Sequence, residues 1–371
     1  MAGTADIRAQ ALEVAAGWSP PDAPRSWQLT AALFRAIAAH DELLGELARL
    51  PPGRLPALLA SAAVAHLVRR NGPDPLAGYF PEPGGRQPGF DDGFYPLASS
   101  FFSENIGEIM ATCRQHAYQM NEVARCAQIA LGVAAVAPAV PEFALADLGT
   151  GAGLGLHLDR YRYQVGDLAI GPRGARLLID CELRGAGRPP ASRLPAVARR
   201  AGIELSPVDL DDPAAREWLQ SCAPPEASAL NRLTAAMEVA VRHPARIVPG
   251  DAIAALPAVL AGFPPDLPVV VTDSYLAVFL TAGQLDELAA ILAEAGRTRP
   301  VTWLSLDPLV PLGPAGRLSV QQLPLPGSLV SDYQQRGVFA VLGARTFTGG
   351  TQTGRLLARA HPSGQWVEWL G

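Results

Sequence analysis

The residues best suited to chemistry lie in one stretch, 143–167, which reads FALADLGTGAGLGLHLDRYRYQVGD. An apolar run at 143–148 predicts a short buried strand. Glycines follow it at every second position: Gly149, Gly151 and Gly153. A sharp turn from strand into helix needs residues without Cβ, and its free backbone N–H groups can bind an anion or the polar edge of a nucleotide. Asp147, just before the turn, argues against a phosphate and favours a ligand hydroxyl or ammonium group.

This pattern, Asp-x-Gly-x-Gly-x-Gly, resembles the first motif of S-adenosylmethionine-dependent methyltransferases. In that family the glycines pass close to the methionine and ribose of the cofactor. The resemblance implies that Asp147 and the three glycines bind S-adenosylmethionine. A tight turn packed for purely structural reasons gives a similar string, so both interpretations stay open.

A dense polar cluster follows the glycines at 157–163. On a helix Asp159 and Tyr163 share a face, which suits them to orient a substrate hydroxyl or amine as catalytic groups. Arg160 could bind a carboxylate through two hydrogen bonds, and Tyr161 could contact the substrate. The alternative is a solvated helix end with aromatic rings packed beneath it.

A second polar cluster lies in QMNEVARC, 119–126, where Asn121 and Arg125 share a helical face and Glu122 lies beside them. We interpret Glu122 as a catalytic group and the other two as substrate-binding groups. The alternative is a helix cap with a surface ion pair. Because burying unpaired charges is costly, we expect the two clusters to share one pocket.

Five aspartates fall at or just past predicted strand ends: Asp147, Asp180, Asp251, Asp273 and Asp307. The carboxyl ends of parallel strands form one rim, so several of these acids are expected together. Asp180 stands where such folds place a carboxylate on a ribose, and Asp251 is a second cofactor-binding candidate. We interpret Asp273 as a substrate-binding group.

The elements that must position these groups follow from hydrophobic periodicity. Three helices are predicted near the N-terminus, at 4–16, 27–50 and 55–70, and two more between 94 and 136. Later, PVVVTDS, TAGQLDELAAILAEAG and VTWLSLD predict a strand, a helix and a parallel strand. The sequence therefore predicts an α/β fold with a Rossmann-like, methyltransferase-like, mostly parallel sheet that carries helices on both faces. We expect an N-terminal helical region at 1–137, a Rossmann-like domain at 138–371, and a hairpin at the sheet edge formed by GVFAVLGART and GRLLARAH.

Composition narrows the function classes. The 371 residues carry a net charge of −5 without a basic run, which argues against nucleic acid as a partner. All 30 cations are arginine, which excludes a pyridoxal-phosphate Schiff base and a P-loop lysine on this chain. The 4 cysteines have no zinc-binding spacing, so we expect buried thiols and no metal. The longest apolar run is too short to span a bilayer and the N-terminus lacks a signal peptide, which favours a cytoplasmic protein without membrane contact.

Several motifs occur in order over nearly the whole chain: Asn121–Arg125, the glycine turn with DRYRY, SPVDLDDPAAREWLQ, GDA and the terminal HPSGQWVEW. Together they resemble a bacterial family abundant in actinobacteria, the domain of unknown function 2332. That family has no general assigned chemistry and is grouped loosely with methyltransferase-like folds.

The chain departs from the family pattern at two places. Members usually carry Glu-x-Gly-Ala-Ser-Ala-Gly-Leu-Asn where this chain has DLGTGAGLG at 147–155, which is closer to the methyltransferase fingerprint. Members also end in His-Pro-His-Gly, whereas Ser363 replaces the second histidine here. A role of that second imidazole cannot be transferred, and His361 remains a substrate-binding candidate.

Three functions fit these features. The first is a natural-product tailoring enzyme that uses S-adenosylmethionine to methylate a hydroxyl or amine of a small molecule, with Asp159, Tyr163 or Glu122 as the base. The second is a cofactor-free intramolecular displacement, such as aziridine closure, with Arg125 or Arg160 on the anionic leaving group. The third is a non-catalytic partner subunit, and a homo-oligomer is equally compatible with the sequence.

Overall fold

The chain divides into two units in a computed structural model. The structure describes residues 3–19, 23–51, 53–72, 74–137, 140–189, 193–309, 311–312, 317–318, 320–336 and 339–370. The first unit comprises Met1–Asn121 and Asp209–Ala235, and the second comprises Glu122–Val208 and Ala236–Gly371. This division differs from the predicted boundary at residue 137, because the helix before the glycine turn packs on the sheet and the segment 209–235 packs with the N-terminal helices.

Helices and strands are numbered in chain order. The α-helices are α1 (Thr4–Gly17), α2 (Gln28–Ala39), α3 (Asp41–Leu47), α4 (Pro56–Arg70), α5 (Phe94–Gln115), α6 (Arg125–Val136), α7 (Pro213–Cys222), α8 (Ala227–Arg242), α9 (Ala252–Ala261), α10 (Ala282–Ala295) and α11 (Gly327–Arg336). The strands are β1 (Glu142–Leu148), β2 (Arg162–Val165), β3 (Leu168–Ile170), β4 (Leu178–Arg184), β5 (Ala196–Glu204), β6 (Arg246–Pro249), β7 (Val269–Ser274), β8 (Val301–Pro308), β9 (Pro311–Leu312), β10 (Arg317–Leu318), β11 (Ala340–Thr348), β12 (Thr351–Ala360) and β13 (Trp366–Trp369). Short 3-10 helices occur at Leu154–Arg160 and Ala277–Phe279.

The first unit is helical, as predicted, and its core is built from apolar faces of α1 to α5 together with α7. The helix predicted at 27–50 is two helices, because the backbone at His40 is extended, with ψ 94°. The His40 ring nitrogen Nδ1 accepts a hydrogen bond from the Leu43 amide at 3.2 Å, so this side chain caps α3. No helix in the described part of the chain is both long enough and apolar enough to cross a membrane.

The second unit is built on an 11-stranded, mostly parallel sheet in the order β3-β2-β4-β13-β12-β11-β8-β7-β1-β5-β6. Helix α6 packs on one face of it and helices α9 and α10 on the other. The Rossmann-like α/β fold with helices on both faces is therefore confirmed. The predicted strand, helix and parallel strand are β7, α10 and β8.

The order of the parallel strands creates a switch point beside β1. After β1 the chain adds β5 and β6 on one side, and then crosses to add β7 and β8 on the other. Ligands of open α/β sheets bind outside the carboxyl ends of strands at such a point. The glycine turn follows β1 directly, so it lies at the carboxyl end of an interior parallel strand, as the sequence predicts.

Two sequence predictions of local structure are wrong. The β11–β12 hairpin is antiparallel as expected, but it lies inside the sheet because β13, β4, β2 and β3 continue beyond it. The segment 157–165 is not one helix: a 3-10 helix ends at Arg160 and β2 begins at Arg162. From Tyr161 onward the buried residues recur at every second position, at Tyr161, Tyr163 and Val165, which is the period of a strand.

Asp251, a predicted cofactor ligand, is the N-cap residue of α9. Its carboxylate accepts hydrogen bonds from the amides of Ile253 and Ala254 at 3.0 and 2.9 Å. We expect Asp251→Ala to lower the free energy of unfolding by about 1 kcal/mol, the usual cost of a lost N-cap. Chemical denaturation should show this loss, while Asp251→Ser should restore most of the stability. Equal stability of the alanine variant and the parent would contradict the capping role.

Candidate functional site

The glycine turn adopts a backbone that requires its glycines. Gly149, Gly151 and Gly153 have φ of 61°, 59° and 75°, in the left-handed region that other residues rarely adopt. A Cβ at Gly149 would lie 3.2 Å from Leu276, and one at Gly153 would lie 2.9 Å from Ile247. Gly149 is exposed, whereas residues 150–154 are buried, so Gly149 is the glycine of this turn that a ligand can approach.

Glu204 stabilises the glycine turn through a hydrogen bond. The sequence analysis did not predict this role. It ends β5, the strand next to β1, and its Oε2 accepts a hydrogen bond from the Gly151 amide at 2.8 Å. Its Oε1 accepts from the Ser206 amide at 3.2 Å. The Glu204 carboxylate therefore already accepts a hydrogen bond from one of the N–H groups that we expected to bind an anion. The signal that could have found Glu204 is an acid directly after the buried residues 201–203 at the end of an extended segment.

Asp147 lies half-buried beneath the turn at the end of β1. Its two oxygens accept hydrogen bonds from the hydroxyls of Thr150 and Thr272, each at 2.6 Å. Burial raises the pKa of this carboxyl, and the two hydroxyl groups oppose the increase. A Cβ at position 155 would lie 3.0 Å from Asp147 Oδ2, so Gly155 leaves space beside the carboxylate.

Arg125 lies at the first position of α6 and is only 7% exposed. Its Nε donates to the carbonyl of Pro362 at 2.7 Å, and its guanidinium carbon lies 3.7 Å from the centre of the Tyr275 ring. Tyr275 has φ of 65°, which is unusual for a bulky residue and marks the segment after β7 as constrained. Arg125 thus connects the start of α6 with the segment that passes over the glycine turn.

The C-terminal HPSG turn is held against α6. The fully buried Gln128 donates from Nε2 to the carbonyls of His361 and Trp366 at 3.1 and 3.0 Å. The His361 ring nitrogen Nδ1 lies 3.1 Å from the Ser363 amide and 2.9 Å from its hydroxyl. Arg125 and Gln128 of α6 thus bind backbone carbonyls of the C-terminal segment 361–366.

The DRYRY side chains have structural partners. Asp159 receives two hydrogen bonds from Arg200 of β5, at 2.8 and 2.9 Å, and both side chains are mostly buried. Tyr161 and Tyr163 are fully buried and donate to the carbonyls of Leu154 and Leu158, at 2.8 and 2.5 Å. These contacts fasten the 3-10 helix to the sheet.

The remaining predicted groups are dispersed. Asp180 is exposed on β4, and five strands separate β4 from β1, a distance of roughly 30 Å at the usual strand spacing. Asp180 is therefore not the carboxylate beside the glycine turn. Asp273 and Asp307 are buried in the sheet, at 1% and 4% exposure.

The expected joining of the two polar clusters stays a prediction. Glu122 Oε1 accepts from the Ala124 amide at 3.0 Å, and Asn121, in the first unit, donates to the Gln119 carbonyl at 3.5 Å. Arg160 lies at the end of the 3-10 helix, where its buried Nε has no hydrogen-bond partner among the described residues.

The four cysteines are free and buried, as predicted. Burial raises the pKa of each thiol to about 12, so none is a thiolate nucleophile near neutral pH. The charges of Asp147 and Glu122 both add to the rise at Cys126, which places these two carboxylates near one thiol.

Comparison with known proteins identifies a family but no activity. A family described as "Uncharacterized protein conserved in bacteria (DUF2332)" matches residues 9–369. No curated protein matches the sequence. Among solved structures, the chain is similar to magnesium protoporphyrin IX methyltransferase from Synechocystis PCC 6803 with bound SAH, at 11% identity and a TM-score of 0.23, over 70% of this chain and 97% of that one. The fold assignment rests on the strand order and not on this distant similarity.

We expect Asp159→Ala to destabilise the second unit by about 3–5 kcal/mol, because it leaves the buried Arg200 guanidinium without its carboxylate. Denaturant unfolding of the purified protein measures this loss. The double variant with Arg200→Met should regain much of it. An alanine variant as stable as the parent, with turnover alone reduced, would instead support the catalytic role predicted from the sequence.

Proposed function

The chain belongs to the uncharacterised bacterial family DUF2332, and we propose that its second unit binds S-adenosylmethionine at the glycine turn and methylates a hydroxyl or amine of a small molecule. Two neighbouring features support this proposal most: Gly149 is exposed and has a left-handed backbone, and the adjacent strand carries the Glu204 carboxylate. Both lie at the switch point of the sheet. Glycine backbone that a ligand can approach, together with an acid for ribose hydroxyls, is the arrangement that binds nucleosides in open α/β sheets.

Glu204 can bind the ribose hydroxyls of the cofactor and keep its hydrogen bonds to the two backbone amides. Each carboxylate oxygen has two lone pairs, and the amides of Gly151 and Ser206 use one on each oxygen. The two remaining lone pairs can accept the two vicinal hydroxyls of a ribose. The Gly151 and Ser206 amides also hold the carboxylate in one orientation, so little rotamer entropy is lost on binding.

We assign two further carboxylates, Asp147 and Glu122, to orienting the substrate and to removing its proton. When bound, S-adenosylmethionine supplies an electrophilic methyl group on a sulfonium, so the protein must align a nucleophile and remove one proton. Asp159 is paired with Arg200 and Tyr163 donates to the Leu158 carbonyl, whereas Glu122 and Asp147 both lie near Cys126, so we assign the base to Glu122. The hydroxyl groups of Thr150 and Thr272 hold the Asp147 carboxyl group in one orientation, which suits it to orient a substrate hydroxyl or amine.

A cofactor-free displacement that loses an anionic leaving group is the second candidate. The burial of the Arg125 guanidinium favours it, because a cation in a place with little water stabilises a departing anion strongly. The ring of Tyr275 at 3.7 Å holds that guanidinium in position. The two candidates differ in whether the protein binds S-adenosylmethionine.

Calorimetric titration with S-adenosylmethionine and with its demethylated product tests the proposal. We expect micromolar binding by the parent and a loss of about 10- to 100-fold in Glu204→Gln, which keeps an acceptor for the Gly151 amide but removes the charge that strengthens bonds to the ribose. The matched control, Asp180→Asn, changes an exposed acid on β4 and should bind like the parent.

No binding of either compound by the parent would reject methyl transfer and favour the displacement. Binding that weakens in Asp180→Asn but not in Glu204→Gln would move the ribose site away from the turn.

A further inference from the structure

A buried pair of acids lies beside the proposed site and has no role in the chemistry described so far. Asp273 on β7 lies opposite Ser305 on β8, and Asp307 follows two residues later on the same face of β8. All three side chains are nearly inaccessible, at 1%, 0% and 4% exposure. The Trp303 indole donates to Asp273 Oδ2 at 2.6 Å.

The hydrogen bonds around Ser305 indicate a proton on one of the two acids. The Ser305 oxygen lies 3.1 Å from Asp273 Oδ1 and makes a close hydrogen bond with Asp307 Oδ2. A serine hydroxyl has one hydrogen and can donate it to only one of these oxygens. The other carboxyl must therefore donate to the Ser305 oxygen, which requires a proton on that carboxyl.

The geometry indicates which acid holds the proton. Asp273 Oδ2 already accepts from Trp303, so a proton on Oδ1 lets Asp273 donate to Ser305, which then donates to Asp307. Burial, then the Asp307 charge, raise the pKa of Asp273 well above its usual range, and burial raises that of Asp307.

The pair adjoins the segment that contacts the glycine turn. The Tyr275 amide donates to the Leu306 carbonyl at 2.9 Å, next to Asp307, and Leu276 packs on Gly149. The amides of Ala277 and Val278 oppose the rise in the pKa of Asp307, while Oδ1 of Asp307 has no hydrogen-bond partner among the described residues. The segment 275–279 therefore follows β7, which carries Asp273, and contacts the glycine turn through Leu276.

We propose that Asp273 and Asp307 share one proton through Ser305 and that this singly charged pair positions the 275–279 segment against the glycine turn. They are positioning residues for the site proposed above, and the inference rests on that site only for its effect on ligand affinity. The other titratable or charged groups that face the pair are Tyr275, whose pKa burial raises to about 12, and Arg125 above the Tyr275 ring. A second negative charge in this place would repel the first across Ser305 and disrupt the start of the segment.

The pH dependence has a definite sign. Because the folded state raises the pKa of both acids above the unfolded value of 3.8, the stabilisation is complete below that value and is lost as the pH rises through the folded-state pKa of the pair. We expect the melting temperature of the parent to fall towards alkaline pH. In Asp273→Asn the side-chain amide donates to Ser305 as the protonated acid does. The part of the decrease in melting temperature that is due to Asp273 should therefore disappear.

Infrared spectroscopy detects the shared proton directly and needs no ligand. The parent at neutral pH should show the C=O stretch of a buried protonated carboxyl, and Asp273→Asn should lack that band. Asp307→Asn should lack it too, because Asp273 then ionises and accepts the Ser305 hydrogen. The control Asp147→Asn, which changes another acid with a raised pKa, should keep the band.

S-adenosylmethionine titration from neutral to alkaline pH completes the test. Affinity should fall several-fold with rising pH in the parent and stay constant in Asp273→Asn. A parent without the infrared band, or melting curves whose pH dependence is the same in parent and variant, would overturn the shared proton. A band that behaves as expected in a protein that binds no S-adenosylmethionine would reject the proposed function and leave the proton-sharing pair intact.

Discussion

The left-handed backbone of the glycine turn is the constraint on which the second unit depends. Three residues with positive φ within five positions turn the chain away from β1, and side chains from three other segments pack on this turn. Leu276 and Ile247 lie too close to Gly149 and Gly153 to leave normal space for a Cβ atom, and Glu204 accepts a hydrogen bond from the Gly151 amide. The strands on both sides of β1 are therefore matched to one local conformation, and the same match leaves Gly149 exposed at the switch point.

The motifs near the start and the end of the second unit are joined by hydrogen bonds. Arg125 and Gln128 use side-chain N–H groups to satisfy backbone carbonyls of the C-terminal turn, which otherwise would be buried without partners. The first helix and the last strands of the unit are thus joined by polar contacts as well as by packing. These contacts give Arg125 and Gln128 a structural role that does not require either side chain to act on a substrate.

The buried and half-buried carboxylates of the unit are stabilised in three different ways. Asp159 is paired with a cation, Asp147 accepts two hydroxyl groups, and Asp273 retains a proton beside Asp307. Each arrangement offsets the cost of removing a charge from water. Glu204 differs from them, since its two contacts are backbone amides and each of its oxygens has a lone pair for a ligand.

Local sequence determined much of this protein. Spacing of apolar residues predicted the helices of the first unit and the β7–α10–β8 succession, because amphipathic periodicity depends only on near neighbours in the chain. The alternate glycines predicted the turn after β1, because left-handed backbone is a local demand that glycine meets best. Ordered motifs over the whole chain indicated the family.

Tertiary structure alone decided which residues meet. Asp180 looked like the ribose acid because β4 follows the turn in sequence, yet the sheet places β5 next to β1 and so brings Glu204 there. The density of charge in DRYRY suggested an active helix, but Arg200 of β5, 41 residues later in the chain, pairs with Asp159. Strand order and the partners of buried polar groups are set by contacts between distant parts of the chain, which no local pattern encodes.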